Sequence, residues 1–397
     1  MTSLVYTSKN FYDLELILKD LTEDLKKQNI TNALGIMFCD ARVDVNTLVP
    51  KLQKELIFPV VGGTTLSIPF TSDDKSELST SLLVIRSDRY KFSFALSDTM
   101  DAQKHSEQTK SVYKNCMERL GEKPKLVMPF LPHMPGFPMD AFIEDIFRAA
   151  DGVPVFGGVV TGDLISTGAF VFADGKLYRD SMLLVMFSGD IKPVFAIGNT
   201  ITLSETDGLV TESKGNLVQK IGDMTFCNYM RSIGVEPEKR VNGLDALMQY
   251  GPLPVVIKRK DKQEDGVPEV RCISYTNVEE GSAVFSGEVP AGSHINMGVL
   301  HVEDVESSVK ASLDFLMGQV SRQKDDYSVL LCISCVARYF VFAGEENMER
   351  KLLTEKKHEK IAATGYYGFC EIGPTYEKSS GNIINRSHSA SIIFCVF

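Results

Sequence analysis

The sequence predicts a mixed α/β protein: two related modules of layered β-sheets flanked by helices, with internal strand–helix–strand repeats. Three observations lead there. Apolar runs of strand length alternate with segments whose apolar residues recur at helical spacing. A five-residue pattern, Pro-Val-x-Gly-Gly, occurs at positions 59–63 and again at 154–158, each time closing the same strand–helix order. Elsewhere the chain is rich in short strands punctuated by Gly and Pro.

Taken in order, the first repeat opens with NALGIMFCD, an apolar run of strand length. VNTLVPKLQKEL follows, with Leu48, Val49, Leu52 and Leu56 on one helical face, and then FPVVGGTTLS. The second repeat runs PKLVMPFLP, then MDAFIEDIFRAA with Phe142, Ile143, Ile146 and Phe147 on one face, then VPVFGGVVTGD. The segment GAFVFADGKLYRDSMLLVMFS reads as a hairpin turning at Asp174-Gly175, because Asp-Gly supplies the positive φ angles of a type I′ turn. PEVRCISYTNVEEGSAVFSGEVPAGSHINMGV reads as several short strands. A looser third copy follows: YSVLLCISCVARYFVF as strand, ENMERKLLTEKKHEKIAA as charged amphipathic helix, and TGYYGFCEIGP as a glycine-punctuated strand. HINMGVLHV followed by SVKASLDFLMGQV reads as a partial fourth. The polar, turn-rich stretch from Glu205 to Gly222 separates halves of similar size and suggests modules at 1–210 and 211–397.

At 397 residues, 44% hydrophobic and 24% charged, the chain has the composition of an ordinary globular protein of two or three domains. A formal net charge of −10 argues against nucleic-acid binding. The two dense basic clusters, KRKDK and EKKHEK, are diluted by acids and read as solvated faces. The N-terminus lacks a signal-peptide pattern, and no apolar run reaches the ~18 residues that span a membrane, so a cytoplasmic protein without membrane insertion is expected.

Eight cysteines lie scattered, mostly in apolar contexts, and read as free buried thiols. Cys332 and Cys335 form a CxxC pair without a second pair, against structural zinc. On a strand their odd offset sends them to opposite faces. Arg338 falls in the same apolar run, on the strand face of Cys332, Ser334 and Val336. A charge there needs a carboxylate, a carbonyl cluster or an anionic ligand. Glu371, in the matching strand, is its nearest candidate partner by pattern. The Gly157-Gly158 pair reads as close backbone approach rather than a phosphate cradle. Asp163 either closes the following turn or reaches a ligand. His133, in the Pro-rich turn LPHMPGFP, is open to a backbone hydrogen bond or to the single proximal ligation that a haem needs. No Walker loop, HExxH or nucleophile elbow is present, and no enzyme is expected.

These stretches together resemble the FIST family of sensory proteins, over about residues 30 to 397. VFGGVVTGD and the hairpin after it resemble the N-terminal module. VTESKGNLVQKIGDMTF, LLCISCVARYF with its Cys-x-x-Arg, and GYYGFCEIGP with its Glu-Ile resemble the C-terminal one. Ala337 and Cys370 stand where the family pattern carries glycine, and the final strand has His388-Ser389-Ala390-Ser391 where it carries an Asn-x-Thr-like element. The resemblance implies a cytoplasmic, bacterial-type ligand-sensing module that binds a small molecule such as an amino acid. It implies output through a separate protein such as a histidine kinase, cyclase or chemoreceptor. About thirty residues precede the first FIST-like strand, so no F-box is expected. The candidate ligand residues are Arg338, Glu371, Cys335, Asp163, Gly157 and Gly158, with Arg338 facing an anionic group and Glu371 a cationic one. Alternatives are a haem-binding nitric oxide sensor that regulates a histidine kinase, with His133 and His388 as first candidate ligands, and a protein–protein adaptor without a small ligand. No metal and no cofactor other than that haem is expected.

Overall fold

In a computed structural model the described residues are 3–397, except 29, 69–76, 87, 89, 135–138, 163–167, 238–248, 260–266, 324–326, 342–347, 356–360 and 378. They form a mixed α/β protein with sheets of six, nine and eight strands, and eight helices among the described residues.

One topology occurs three times. Unit 1 is β1 (Ser3–Ser8), α1 (Leu14–Gln28), β2 (Ala33–Asp40), α2 (Val45–Glu55), β3 (Val60–Thr65) and β4 (Thr80–Arg86), in sheet order β1-β4-β2-β3. Strands β2 and β3 are parallel, and β4 returns antiparallel between β1 and β2. Unit 2 repeats this with β5 (Tyr90–Leu96), α3 (His105–Leu120), β6 (Leu126–Pro132), α4 (Met139–Ala150), β7 (Gly157–Val160) and β10 (Leu183–Gly189) in the order β5-β10-β6-β7. Between β7 and β10 it carries the expected hairpin, β8 (Val171–Ala173) and β9 (Lys176–Tyr178). Asp174 (φ 49°) and Gly175 (φ 76°) turn it, and β8 extends the sheet of unit 1.

Unit 3 begins at β11 (Val194–Gly198) and is interrupted by an antiparallel insert. The insert holds β12 (Thr202–Lys214), β13 (Leu217–Ile221), β14 (Met224–Thr225), α5 (Phe226–Ser232), β15 (Val255–Lys258), β16 (Glu269–Arg271), β17 (Ile273–Asn277), β18 (Ser282–Phe285) and β19 (His294–Val299). Unit 3 resumes with α6 (Val302–Gln323), β20 (Val329–Cys335), α7 (Val336–Val341), α8 (Met348–Glu355), β21 (Ala362–Tyr376), β22 (Ile383–His388) and β23 (Ile392–Val396), in the order β11-β23-β20-β21. The third copy read from the sequence is thus a full unit. The partial fourth is a junction: β19 belongs to the insert, and α6 is the first helix of unit 3. The stretch 205–222 forms β12 and β13, and a division at 210/211 falls inside β12.

The repeat has a physical signature. Gly62, Gly157 and Gly365 stand at the same register position, on the second parallel strand opposite Met37, Pro129 and Cys332. A Cβ there would lie 1.9, 2.1 and 2.2 Å from those residues' carbonyl oxygens. The paired glycines of the sequence therefore serve close backbone approach. The next position holds Gly63, Gly158 and Tyr366. A Cβ on Gly158 would lie 3.0 Å from Tyr366 Oη, so that glycine leaves room for Tyr366, whose ring is 4.7 Å from Phe38 and 6.2 Å from Phe130. Inner faces of all three units meet there in one apolar core, while α1–α2, α3–α4 and α6–α8 cover the outer faces.

The units are also stitched by polar contacts. Tyr367 N–H donates to Thr65 Oγ1 (3.0 Å), and Thr161 Oγ1 donates to Tyr367 O (3.0 Å), joining one residue of each unit.

Candidate functional site

The expected strand through Arg338 ends three residues earlier. β20 stops at Cys335 and the chain turns at once into α7, so Arg338 is a helical residue. Its β-branched and aromatic neighbours favour a strand locally, but packing of α7 against β21 overrides that preference. Cys332 and Cys335, both on β20, do point to opposite sides: Cys332 joins the outer layer of unit 3, Cys335 the contact with the insert.

Arg338 does not pair with Glu371. Its Nε and Nη2 donate to Glu349 Oε1 at 3.0 and 2.8 Å, Nη1 to Ser308 Oγ at 3.1 Å, and Nη2 also to Val305 O at 3.3 Å. Glu349 Oε2 accepts from Ser334 Oγ at 2.9 Å and Tyr367 Oη at 2.8 Å. Both charged side chains have no exposed surface. All three guanidinium nitrogens and both carboxylate oxygens are engaged, so this group pins α6, α7, α8 and β21 together. The sequence reasoning missed Glu349 because its helix reads as solvated.

Glu371 is the reverse case. A bulge between Gly368 and Glu371 sets Glu371 opposite Gly158 on one side and His388 on the other. Val160 lies in the central core, so Gly158 and Glu371 share its inward face. The side chain is fully buried, and among the described residues neither oxygen has a partner at hydrogen-bonding geometry. Burial first, then the neighbouring Cys335 thiol, push its carboxyl well above the usual range, so it is held as the neutral acid. Tyr366 Oη, also without a partner among the described residues, lies close by, 3.0 Å from where a Cβ of Gly158 would stand. The Cys335 thiol rests against Cys272 of the insert. The fold therefore gathers Gly157, Gly158, Cys335 and Glu371 and gives Arg338 a separate task. Asp163 lies outside the described residues. His133 stacks on Phe369, ring centroids 4.2 Å apart, and His388 Nε2 lies 3.0 Å from the Gly373 carbonyl.

Next to Glu371 a cavity of about 490 Å³ opens between α4, β22 and the insert. One wall is basic. Arg259 Nη2 and Arg271 Nη2 both donate to Glu269 Oε1, at 2.9 and 3.0 Å, with the Arg271 side chain 8% exposed. A side chain at Gly287 would lie 2.3 Å from Arg271 Nε, so that glycine leaves space for the guanidinium. The facing wall, on α4, carries Asp140 and Glu144 one helical turn apart. Asp140 Oδ2 accepts the backbone N–H of Glu288 at 2.6 Å, which ties α4 to the insert. The floor is β22 with Arg386 and His388, fastened to unit 2 through Asn385, whose amide bonds Val155 N and Val153 O at 2.8 Å each. Cys370, between floor and Glu371, feels Glu371, Asp140 and Arg271. None of the cavity's charged residues was singled out from the sequence. Arg271, in VRCIS, had the same signal as Arg338: a charge inside an apolar run.

The family model of the FIST N domain matches residues 33–224, and that of the FIST C domain matches residues 229–374. The chain belongs to the FIST family. FIST domains are sensory signal-transduction domains. No curated protein sequence matches the chain. Among solved structures, a cyanuric acid hydrolase from A. caulinodans is 6% identical over 100% of this FIST chain and 98% of its own, with a TM-score of 0.40. A second cyanuric acid hydrolase is 11% identical over 99% and 98%, with a TM-score of 0.31. A chorismatase is 10% identical over 100% and 98%, with a TM-score of 0.35. Such divergence carries neither activity nor substrate to this chain. Among the described residues no helix is long and apolar enough to cross a membrane.

Proposed function

We propose that this FIST protein is a cytoplasmic receptor without turnover that binds a free amino acid in the cavity between α4, β22 and the insert. It would pass the signal to a separate protein such as a histidine kinase, cyclase or chemoreceptor. One observation carries the reading: the cavity sets a guanidinium wall opposite a carboxylate wall within a volume suited to a small ligand. An α-carboxylate fits the arginines, which offer paired N–H donors, and an α-ammonium fits Asp140 and Glu144. The walls come from different parts of the chain, unit 2 and the insert, so a ligand that bridges them favours one relative placement. That is what a sensor needs to change its output.

The test is a melting-temperature screen across the amino acids. A ligand at 100 times its Kd stabilises the fold by about 2.7 kcal/mol, and Arg386→Gln and Asp140→Asn should each remove that gain, measured against the same variant's ligand-free melt. The recovered ligand should be chemically unchanged. No melting shift from any amino acid at millimolar concentration would sink the reading.

A further inference from the structure

We propose that the cavity selects amino acids whose side chain is positively charged, arginine- and lysine-like, over neutral and acidic ones. This rests on the amino-acid reading of the same cavity and adds the side-chain class. On the insert wall Glu269 is shared by Arg259 and Arg271, which leaves that trio with one positive charge. Arg386 on the floor adds a second. Three further carboxylates face the same space: Asp140 and Glu144 on α4, and Glu288 at the rim.

An amino acid's α-carboxylate and α-ammonium cancel each other, so they leave this surplus of negative charge unanswered. Glu144 marks where it sits. Its backbone carbonyl takes Arg148 Nε, but its carboxylate makes no ion pair or hydrogen bond among the described residues. Glu288 reaches Arg259 only at 3.9 Å and its side chain is 55% exposed. A guanidinium or ammonium at the end of a ligand's side chain would meet these two carboxylates, whereas a side-chain carboxylate on the ligand would be repelled by them. The buried arginine pair opposite fixes the ligand's other end. Arg271, with its side chain buried and held by Glu269, cannot swing across to neutralise α4.

Calorimetry on the full chain with L-arginine, L-citrulline and L-glutamate decides it, because citrulline keeps the shape of arginine without its charge. Arginine should bind about tenfold or more tightly than citrulline, as a charge-assisted contact is worth that much, and glutamate should be weakest. Glu144→Gln should weaken arginine more than citrulline and so narrow the gap between them, because arginine loses a side-chain contact that citrulline never makes; Glu288→Gln should narrow it by a smaller part. Citrulline or glutamate binding as tightly as arginine would overturn the charge selection while leaving the amino-acid reading in place. Failure of arginine to bind while another amino acid shifts the melting temperature would likewise overturn only the charge selection; no response to any amino acid would overturn both.

Discussion

At the scale of single residues, Arg338 and Glu371, two buried ionisable side chains that the sequence pattern suggests as partners, play opposite parts. Arg338 and Glu349 are a saturated ion pair with no exposed surface. Losing one partner of such a pair leaves the other charged and buried, which costs about 3–5 kcal/mol. Arg338→Ala should therefore lower stability by that amount in chemical denaturation, and the double change Arg338→Met with Glu349→Leu should recover much of it. Equal stability of the single variant and the parent would contradict the pinning role. Glu371 has no such partner. Its folded carboxyl is held well above the ordinary value, whereas the unfolded chain ionises it normally. The contribution is fully present at acid pH and fades as pH rises through the interval between the two values, at about 1.4 kcal/mol per pH unit. Glu371→Gln should flatten that slope: the melting temperature should match the parent near pH 4 and exceed it at pH 8. A parent whose excess instability at pH 8 survives the substitution would show that another group carries the slope.

At the scale of elements, the repeated glycine at the second parallel strand is the tightest constraint. A methyl on Gly157 would stand 2.1 Å from the Pro129 carbonyl, backbone that has no side-chain freedom to yield. Gly157→Ala should destabilise by at least the ~1–3 kcal/mol typical of overpacking. Gly152→Ala, where a Cβ meets nothing within 4 Å, should cost only the strain of its φ of 78°. Thermal melts of the two variants compare them directly, and equal losses would refute the close-approach account. The local patterns were legible because they depend on near neighbours: the Asp174-Gly175 hairpin, the amphipathic faces of α2 and α4, and the glycine pairs all formed as the sequence implied. α7 was not legible. Its six residues read as strand, and only packing against β21 and α6 makes them helical.

At the scale of the whole molecule, the central core draws residues from all three units, so the FIST N region does not own a complete core. Leu331, Ile333, Tyr366, Ile393 and Cys395, all C-terminal, close it, and β7 pairs with β21 across the two family regions. A fragment ending at residue 224 would leave the edge of β7 unpaired and the inner faces of units 1 and 2 exposed. It should aggregate or bind a hydrophobic dye, with no cooperative melt. A cooperative melt of that fragment at the temperature of the full chain would show that the N-terminal region folds alone.

By itself the sequence determined the α/β class, the strand–helix–strand repeat and the family, because periodicity, turn chemistry and motif order are properties of neighbouring residues. Tertiary structure alone decided that the loose third copy is a full unit and the partial fourth is none, since an insert splits the third unit and Tyr366 stands where the other two units have the second of their paired glycines. It also decided which charges meet. Glu349 meets Arg338 from another helix, 11 residues along the chain, at a spacing that no pattern marks, and the cavity's two walls are brought together from α4 and from strands more than a hundred residues away. Coulomb and hydrogen-bond partners are chosen by proximity in space, and on a chain folded into three interlocked units that proximity is not written in spacing along the sequence.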